Sequence, residues 1–227
     1  MRFIIFPLLI LLSLSIDVFG QQDLGVKANI GLSRIVTNFD FPDPARKKLQ
    51  FAPSGQAGLY YSKKIKEKTS FGAELLFVQI EDKMHVETPM PDNQGNYTGE
   101  FITNKYYKHL SYMALPVYYG ININKISVNA GLQFLLLITS NGRQKGEMNY
   151  NGEVISWDNN HGKLNIDRYD FGPRAGIIYK ITEKFDIEAN YYQGINNIIN
   201  NSLQSYFRWR NQQLTIGMRY KFLNPIK

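Results

Sequence analysis

The chain contains no cysteine, which excludes a disulfide framework, a thiolate metal centre and a lipidated N-terminal cysteine. Tryptophan is nearly absent, with two residues, and histidine is confined to three. Acidic side chains are outnumbered, 19 against 26 Lys and Arg, leaving a net charge of +7 over 227 residues. The basic surplus is scattered, with Lys63, Lys64, Lys66 and Lys68 in one turn and Arg46, Lys47 and Lys48 in one loop. No basic helix or RNA-binding motif accompanies it, so nucleic acid is not an expected partner. Long hydrophobic runs are also missing beyond the first twenty residues. Nothing approaches the ~20 apolar residues of a spanning helix, so any insertion of the mature chain into a membrane must use strands.

Residues 1–20 read as a signal peptide, with Arg2 as the basic start, an apolar run from Phe3 to Ile16, and Val18, Phe19 and Gly20 before the expected cleavage. The remainder, 21–227, is of a size for one domain. It is rich in aromatics, with 15 Tyr and 14 Phe, a composition that suits strands and membrane interfaces. The strongest pattern runs from Tyr169 to Tyr192. Tyr169, Phe171, Ala175, Ile177 and Tyr179 alternate with Asp170, Gly172, Arg174, Gly176 and Lys180. After a turn at Ile181 to Lys184, Phe185, Ile187, Ala189 and Tyr191 alternate with Asp186, Glu188, Asn190 and Tyr192. Period two places one apolar and one polar face on each strand. The polar face mixes glycine with charges of both signs, which suggests a crowded interior.

The same alternation recurs from Leu24 to Leu32, Gln56 to Tyr61, Phe71 to Phe77, Tyr112 to Ile121, Ile126 to Leu136 and Leu214 to Phe222, which makes eight strands. The connections alternate strictly, long after the first, third, fifth and seventh strands and short after the others. Among the long ones, Glu81 to Lys108 and Thr139 to Asn165 read as polar segments, and Asn151-Gly152 is a hairpin-turn signal within the second. The expected fold is therefore all-β: an eight-stranded antiparallel up-and-down transmembrane β-barrel in the bacterial outer membrane, with short periplasmic turns and long extracellular loops. Tyr61, Phe71, Tyr119, Tyr179, Phe185 and Tyr220 fall at the short-turn ends and would form an aromatic girdle. A soluble lipocalin-like ligand-binding barrel is the alternative, because alternation does not say which face looks outward. Pro116 and Pro173 each remove a ladder donor and are expected at bulges.

Several short motifs carry a resemblance: Gly25-Val26-Lys27-Ala28-Asn29, Glu74-Leu75-Leu76-Phe77, Leu115-Pro116-Val117-Tyr118-Tyr119, Asp170-Phe171-Gly172 and Tyr192-Gln193-Gly194-Ile195-Asn196-Asn197-Ile198. In this order and spacing the chain resembles the PorT-like outer membrane β-barrel family of Bacteroidota, over Gly25 to Phe222. The resemblance implies a barrel with no catalytic motif, and Phe222 as the aromatic signal for the barrel assembly machinery, followed here by five further residues.

Five charged residues, Lys27, Glu74, Arg174, Glu188 and Arg219, are expected to point into the lumen, where a buried charge demands a partner. They form either a filling salt-bridge network or a switchable gate. His85, His109 and His161 lie in or beside loops, and a metal or catalytic site would need them gathered with carboxylates such as Asp92 or Asp158. The run Tyr206, Phe207, Arg208, Trp209 and Arg210 interleaves aromatics and arginines, suited to lipopolysaccharide phosphates, to a partner protein, or to an outer girdle with snorkelling arginines. Asn96-Tyr97-Thr98 matches a glycosylation sequon that a bacterial setting would leave unused. The expected function is structural or interactive, without catalysis or cofactor, among outer membrane lipids, lipopolysaccharide and an envelope partner. The alternative within the same fold is a small gated pore.

Overall fold

A computed structural model describes residues 22–38, 45–91, 94, 97–150, 152–199 and 208–222. The expected signal peptide, Asp92, Asn96, Tyr206 and Phe207 lie outside them. The elements are β1 Gln22–Thr37, β2 Arg46–Gln50, β3 Ala52–Lys66, β4 Thr69–Pro91, β5 Tyr97–Ile123, β6 Ile126–Tyr150, β7 Glu153–Gly162, β8 Tyr169–Lys180, β9 Phe185–Gln193 and β10 Trp209–Lys221.

Eight of these strands close a ring in the order β1, β3, β4, β5, β6, β8, β9, β10 and back to β1. Every pairing is antiparallel, and each strand lies beside its neighbour in sequence, so closure satisfies the backbone without leaving an edge in the ring. The short turns sit together at one end. In the turn before β6, Asn124 takes φ 53°, a left-handed conformation that asparagine tolerates. In the turn before β9, Thr182 Oγ1 accepts the Lys184 and Phe185 amides at 3.2 and 3.0 Å.

The direction of the side chains decides between lipid and solvent outside. On β1, Ile30 is 75% exposed while its neighbours Lys27 and Asn29 are buried. The same inversion holds around the ring, with Leu59, Leu75, Val128, Ile177, Ile187 and Ile216 outside and the polar residues inside. A contiguous apolar exterior of this extent needs a hydrocarbon solvent. The lipocalin-like alternative has the faces reversed and is overturned by this observation.

Two expectations about the strands are corrected. The segments Glu81 to Lys108 and Thr139 to Asn165 are mostly strand, because β4, β5 and β6 continue far beyond the apolar belt in unbroken register from Ile80↔Leu110 to Pro89↔Phe101. Polar side chains on both faces of this part erase the amphipathic signal, while the ladder pairing persists. Of the hairpin signal Asn151-Gly152, Asn151 lies outside the described residues, while Gly152 stands at φ 82° between β6 and β7, where Tyr150 pairs with Glu153. Together β2, β4, β5, β6 and β7 form a five-stranded wall standing above the barrel on one side. Nor do the prolines mark bulges: Pro116↔Gln133 and Leu132↔Pro173 pair in continuous register. The nearby irregularity falls at Ser111/Tyr112, where Ile138 is the extra residue on β6.

Glycine on the inner face has a packing reason. A Cβ at Gly72 would lie 2.2 Å from the Tyr118 ring, and one at Gly131 would lie 2.5 Å from the Tyr118 Cα. Tyr118 therefore lies across bare backbone on β4, and its hydroxyl reaches the charges in the centre.

Candidate functional site

The lumen is filled in two tiers, both built from the inward faces of the ring strands. In the lower tier, Lys27 of β1, Glu74 of β4, Arg174 of β8, Glu188 of β9 and Arg219 of β10 converge, all almost fully buried. Lys27 donates to Glu74 at 3.0 Å and pairs with Glu188. Arg174 reaches Glu74 at 3.2 Å and donates to Asn190 Oδ1 at 2.7 Å. Arg219 bridges the two carboxylates, through Nε to Glu188 at 2.5 Å and through Nη2 to Glu74. Asn29 donates to Glu188 at 2.7 Å, and Arg219 donates to the Tyr118 hydroxyl at 3.0 Å. The guanidinium of Arg219 also lies 4.6 Å from the Tyr60 ring centroid, and that of Arg174 lies 5.2 Å from that of Tyr118. Nearer the periplasmic end, Lys221 joins Asp23 and Asp186, each at 3.3 Å.

The upper tier is apolar. Leu76, Val78 and Ile80 of β4, Leu110 and Tyr112 of β5 and Leu135 of β6 point inward and pack with Ile35, Ile166, Tyr192 and Ile198. Leu164, Ile166, Ile198 and Ile199 come from the connections flanking β8 and β9, and fold over the barrel mouth. Their backbone is held by the Ile166↔Ile199 bridge and by Asp167 N–H to Ile198 O at 2.8 Å. Polar groups ring this plug. Asp170 accepts from Asn211 at 2.8 Å, and Asp82 accepts from Lys108 at 2.7 Å and from the Ile35 amide at 2.8 Å.

Sequence reading missed this plug because Leu76, Val78 and Ile80 sit on the face that carries Glu74. The signal was present: Leu75 to Val78 is apolar on both faces, the mark of a strand covered on both sides. Of the run from Tyr206 to Arg210, Arg208 is exposed, and Arg210 is half-buried on the outward row of β10 with its Nε buried. Trp209 differs from the external placement expected of it, since it packs against the plug with the Lys108 ammonium 4.1 Å from its ring centroid. Phe222 is exposed, edge-on to Tyr220 at 5.8 Å, and its amide bonds Leu24 O at 2.8 Å.

The three histidines are not gathered. His85 faces Glu87 at 3.5 Å, His109 faces Glu81 at 3.1 Å, and His161 contacts Gln144 at 3.0 Å. Among the described residues no three His, Asp or Glu side chains are grouped to hold a metal ion.

The outer face of the wall carries the accessible charge. Its cross-strand rows read Lys83, Tyr107, Arg143, Asn160 and, one row higher, His85, Lys105, Lys145, Asp158. Arg143 clasps Asp158 through Nε at 2.7 Å and Nη2 at 2.5 Å, with Lys145 at 3.6 Å. The Arg143 hydrogen bond is the main reason the Asp158 carboxyl is held below its ordinary range. At the foot of this face lies an open cleft of about 620 Å³, lined by residues that include Phe51, Lys83, Tyr107, His109, Arg143 and Asn160.

Among solved structures the chain is similar to Ail, the attachment invasion locus protein of Yersinia pestis (TM-score 0.42, 11% identity, 89% of this chain and 99% of that chain). It is also similar to Neisserial surface protein A (TM-score 0.40, 13% identity, 88% and 97%) and to OprG from Pseudomonas aeruginosa (TM-score 0.34, 13% identity, 89% and 95%). Among curated protein sequences none matches. Residues 19–200 match the outer membrane protein beta-barrel domain family, and with the closed ring and its apolar exterior already in place, the chain belongs to that family of the bacterial outer membrane.

Proposed function

We propose that this protein is a non-conducting, non-catalytic barrel that holds a rigid wall of strands outside the outer membrane for interaction with a surface partner. The observation that carries the reading is the two-tier filling of the lumen. Ion pairs occupy the lower half and an apolar plug the upper half, so the structured surface offered to a partner is the wall, not the interior. Within the family, the Gly25-Val26-Lys27-Ala28-Asn29 and Tyr192-Gln193-Gly194 motifs favour PorT-like kinship and a Bacteroidota source. The leader of residues 1–20 would direct export, Phe222 would serve barrel assembly, and the outward Arg208 and Arg210 would meet lipopolysaccharide phosphates.

The test is planar-bilayer recording of the mature protein, wild type and Glu188→Gln. Negligible conductance from both is expected, because the plug closes the mouth whatever happens to the ion pairs below it. Reproducible channel steps from wild type, or steps that appear only in the variant, would establish the gated pore instead.

A further inference from the structure

The cleft at the foot of the wall lies on the side of the molecule that lipid touches. On β4 the outward row runs Phe71, Ala73, Leu75, Phe77 and then Gln79, Glu81, Lys83. Lys83 is six residues beyond Phe77, which at ~3.3 Å per residue and a tilt of ~45° places it ~14 Å above that ring. This is the depth of a large polar headgroup, and too high for acyl chains. The wall thus continues the lipid-facing surface directly into the headgroup layer.

The chemistry of the cleft is selective. Lys83 has no carboxylate partner among the described residues, and its ammonium lies 5.6 Å from the Tyr107 ring centroid. Arg143 is fixed by Asp158 through Nε and Nη2, which leaves Nη1 aimed away from that pair. A guanidinium already ordered by a carboxylate loses little entropy on taking a phosphate oxygen. Of the two carboxylates in the lining, Asp82 is turned inward and bound by Lys108, while Glu81 faces His109. Phe51 and Tyr107 supply flat apolar surface on which a sugar ring can rest, and Asn160 supplies a neutral polar group. Lys105 and Lys145 stand one row higher, facing Glu147 at 4.0 Å and Asp158 at 3.6 Å.

We propose that this cleft binds the phosphorylated sugar headgroup of an outer-leaflet glycolipid, with Lys83 and Arg143 on phosphate and Tyr107 against the sugar. The proposal rests on the membrane-embedded reading above and names a lipid partner for the wall. Placement argues for a lipid over a soluble anion: the cleft opens sideways above the apolar belt, where a headgroup is held at high local concentration.

Native mass spectrometry of the full mature barrel in detergent tests it, with bisphosphorylated lipid A, dephosphorylated lipid A and inorganic phosphate as probes. One bisphosphorylated lipid A per barrel is expected. Affinity should fall at least tenfold for the dephosphorylated lipid and for Lys83→Gln/Arg143→Gln, and stay unchanged for Lys66→Gln/Lys68→Gln at the periplasmic turn. Equal retention of both lipids, or of lipid A by both double variants, would overturn the site. Displacement of lipid A by inorganic phosphate at equal affinity would overturn the lipid assignment. A heat-modifiability gel confirms folding of each variant. If Lys83→Gln/Arg143→Gln fails to fold, Tyr107→Ala and the dephosphorylated lipid decide the matter. Failure here would leave folding and conductance untouched, and so is distinguishable from failure of the preceding reading.

Discussion

Glu74 is paired with three cations in the lumen, Lys27, Arg174 and Arg219, against two on Glu188. Glu74→Gln keeps the volume and one amide oxygen but removes the charge. The cluster then holds three cations against Glu188 alone, in a site where all of these side chains are almost wholly buried. Breaking a buried pair from one side costs about 3–5 kcal/mol, because it leaves charge uncompensated. With a denaturant slope of about 2 kcal/mol per M, this corresponds to a urea midpoint about 2 M lower. The assay is reversible urea unfolding of the barrel in lipid micelles, followed by tryptophan fluorescence and the heat-modifiable gel band. Lys27→Met added to Glu74→Gln removes one stranded cation and should recover about half of the loss. A midpoint within experimental error of wild type for Glu74→Gln would refute the premise that these pairs hold the barrel's interior. Additive losses in the double variant would refute the coupling between Lys27 and Glu74.

Gly72→Ala should destabilise by about 1–3 kcal/mol, since the new methyl meets the Tyr118 ring at 2.2 Å. The same unfolding assay measures it, and Gly72→Ala/Tyr118→Leu should recover most of the loss. The clasp between Arg143 and Asp158 should order the β6–β7 hairpin in a pH-dependent way. Because the Asp158 carboxyl is held below its ordinary range, first by that hydrogen bond, its contribution is complete above the unfolded value and is lost as pH falls through the lower folded value. Protection factors of β7 amides in hydrogen exchange should therefore hold from pH 7 down to ~4, decline below it, and be low at every pH in Asp158→Asn. Phe222→Ala should lower the fraction of heat-modifiable protein in outer membranes without changing the urea midpoint of what does fold, which separates an assembly signal from a packing role.

The ring was legible because its code is simple. Val26, Ala28, Ile30 and Leu32 against Lys27, Asn29 and Gly31 state both the period and the face, and the strict alternation of long and short connections states the topology. The wall was not legible by the same route. Between Asp82 and Lys108 polar side chains stand on both faces, so Lys83, His85 and Glu87 look no different from Asp82, Met84 and Thr88 to a test of amphipathicity. What holds these strands is backbone pairing in register, which leaves no mark in composition. The lower tier could be read because charge on an inward face demands partners, although nothing in the sequence says that Arg219 spans Glu74 and Glu188. The plug could not be assembled from sequence, since Ile166 and Ile198 lie in connections far from Leu76 and Leu110, and nothing local shows that they meet.

Magnitudes weigh against a gate built on the charge tier. Lys27, Arg174 and Arg219 share two carboxylates, and the positive surplus is spread over the faces of Tyr60 and Tyr118 and the Asn190 oxygen. No single pair can open by itself, because each carboxylate released from one cation is still held by another. A conduit requires several contacts to part together, at about 3–5 kcal/mol for each stranded charge, on the order of 10 kcal/mol in all. At 1.4 kcal/mol per decade, the open population is on the order of one barrel in ten million. A membrane field offers ~2.3 kcal/mol per elementary charge for each 100 mV, and only to charges that traverse it. Even an opened lower tier would lead to Leu76, Leu110 and Ile198, an apolar stopper that ions cannot cross without shedding water. On the proposed reading the two tiers guard against different failures: shared charges fix the strands in register from within, and the plug covers the mouth beneath the wall.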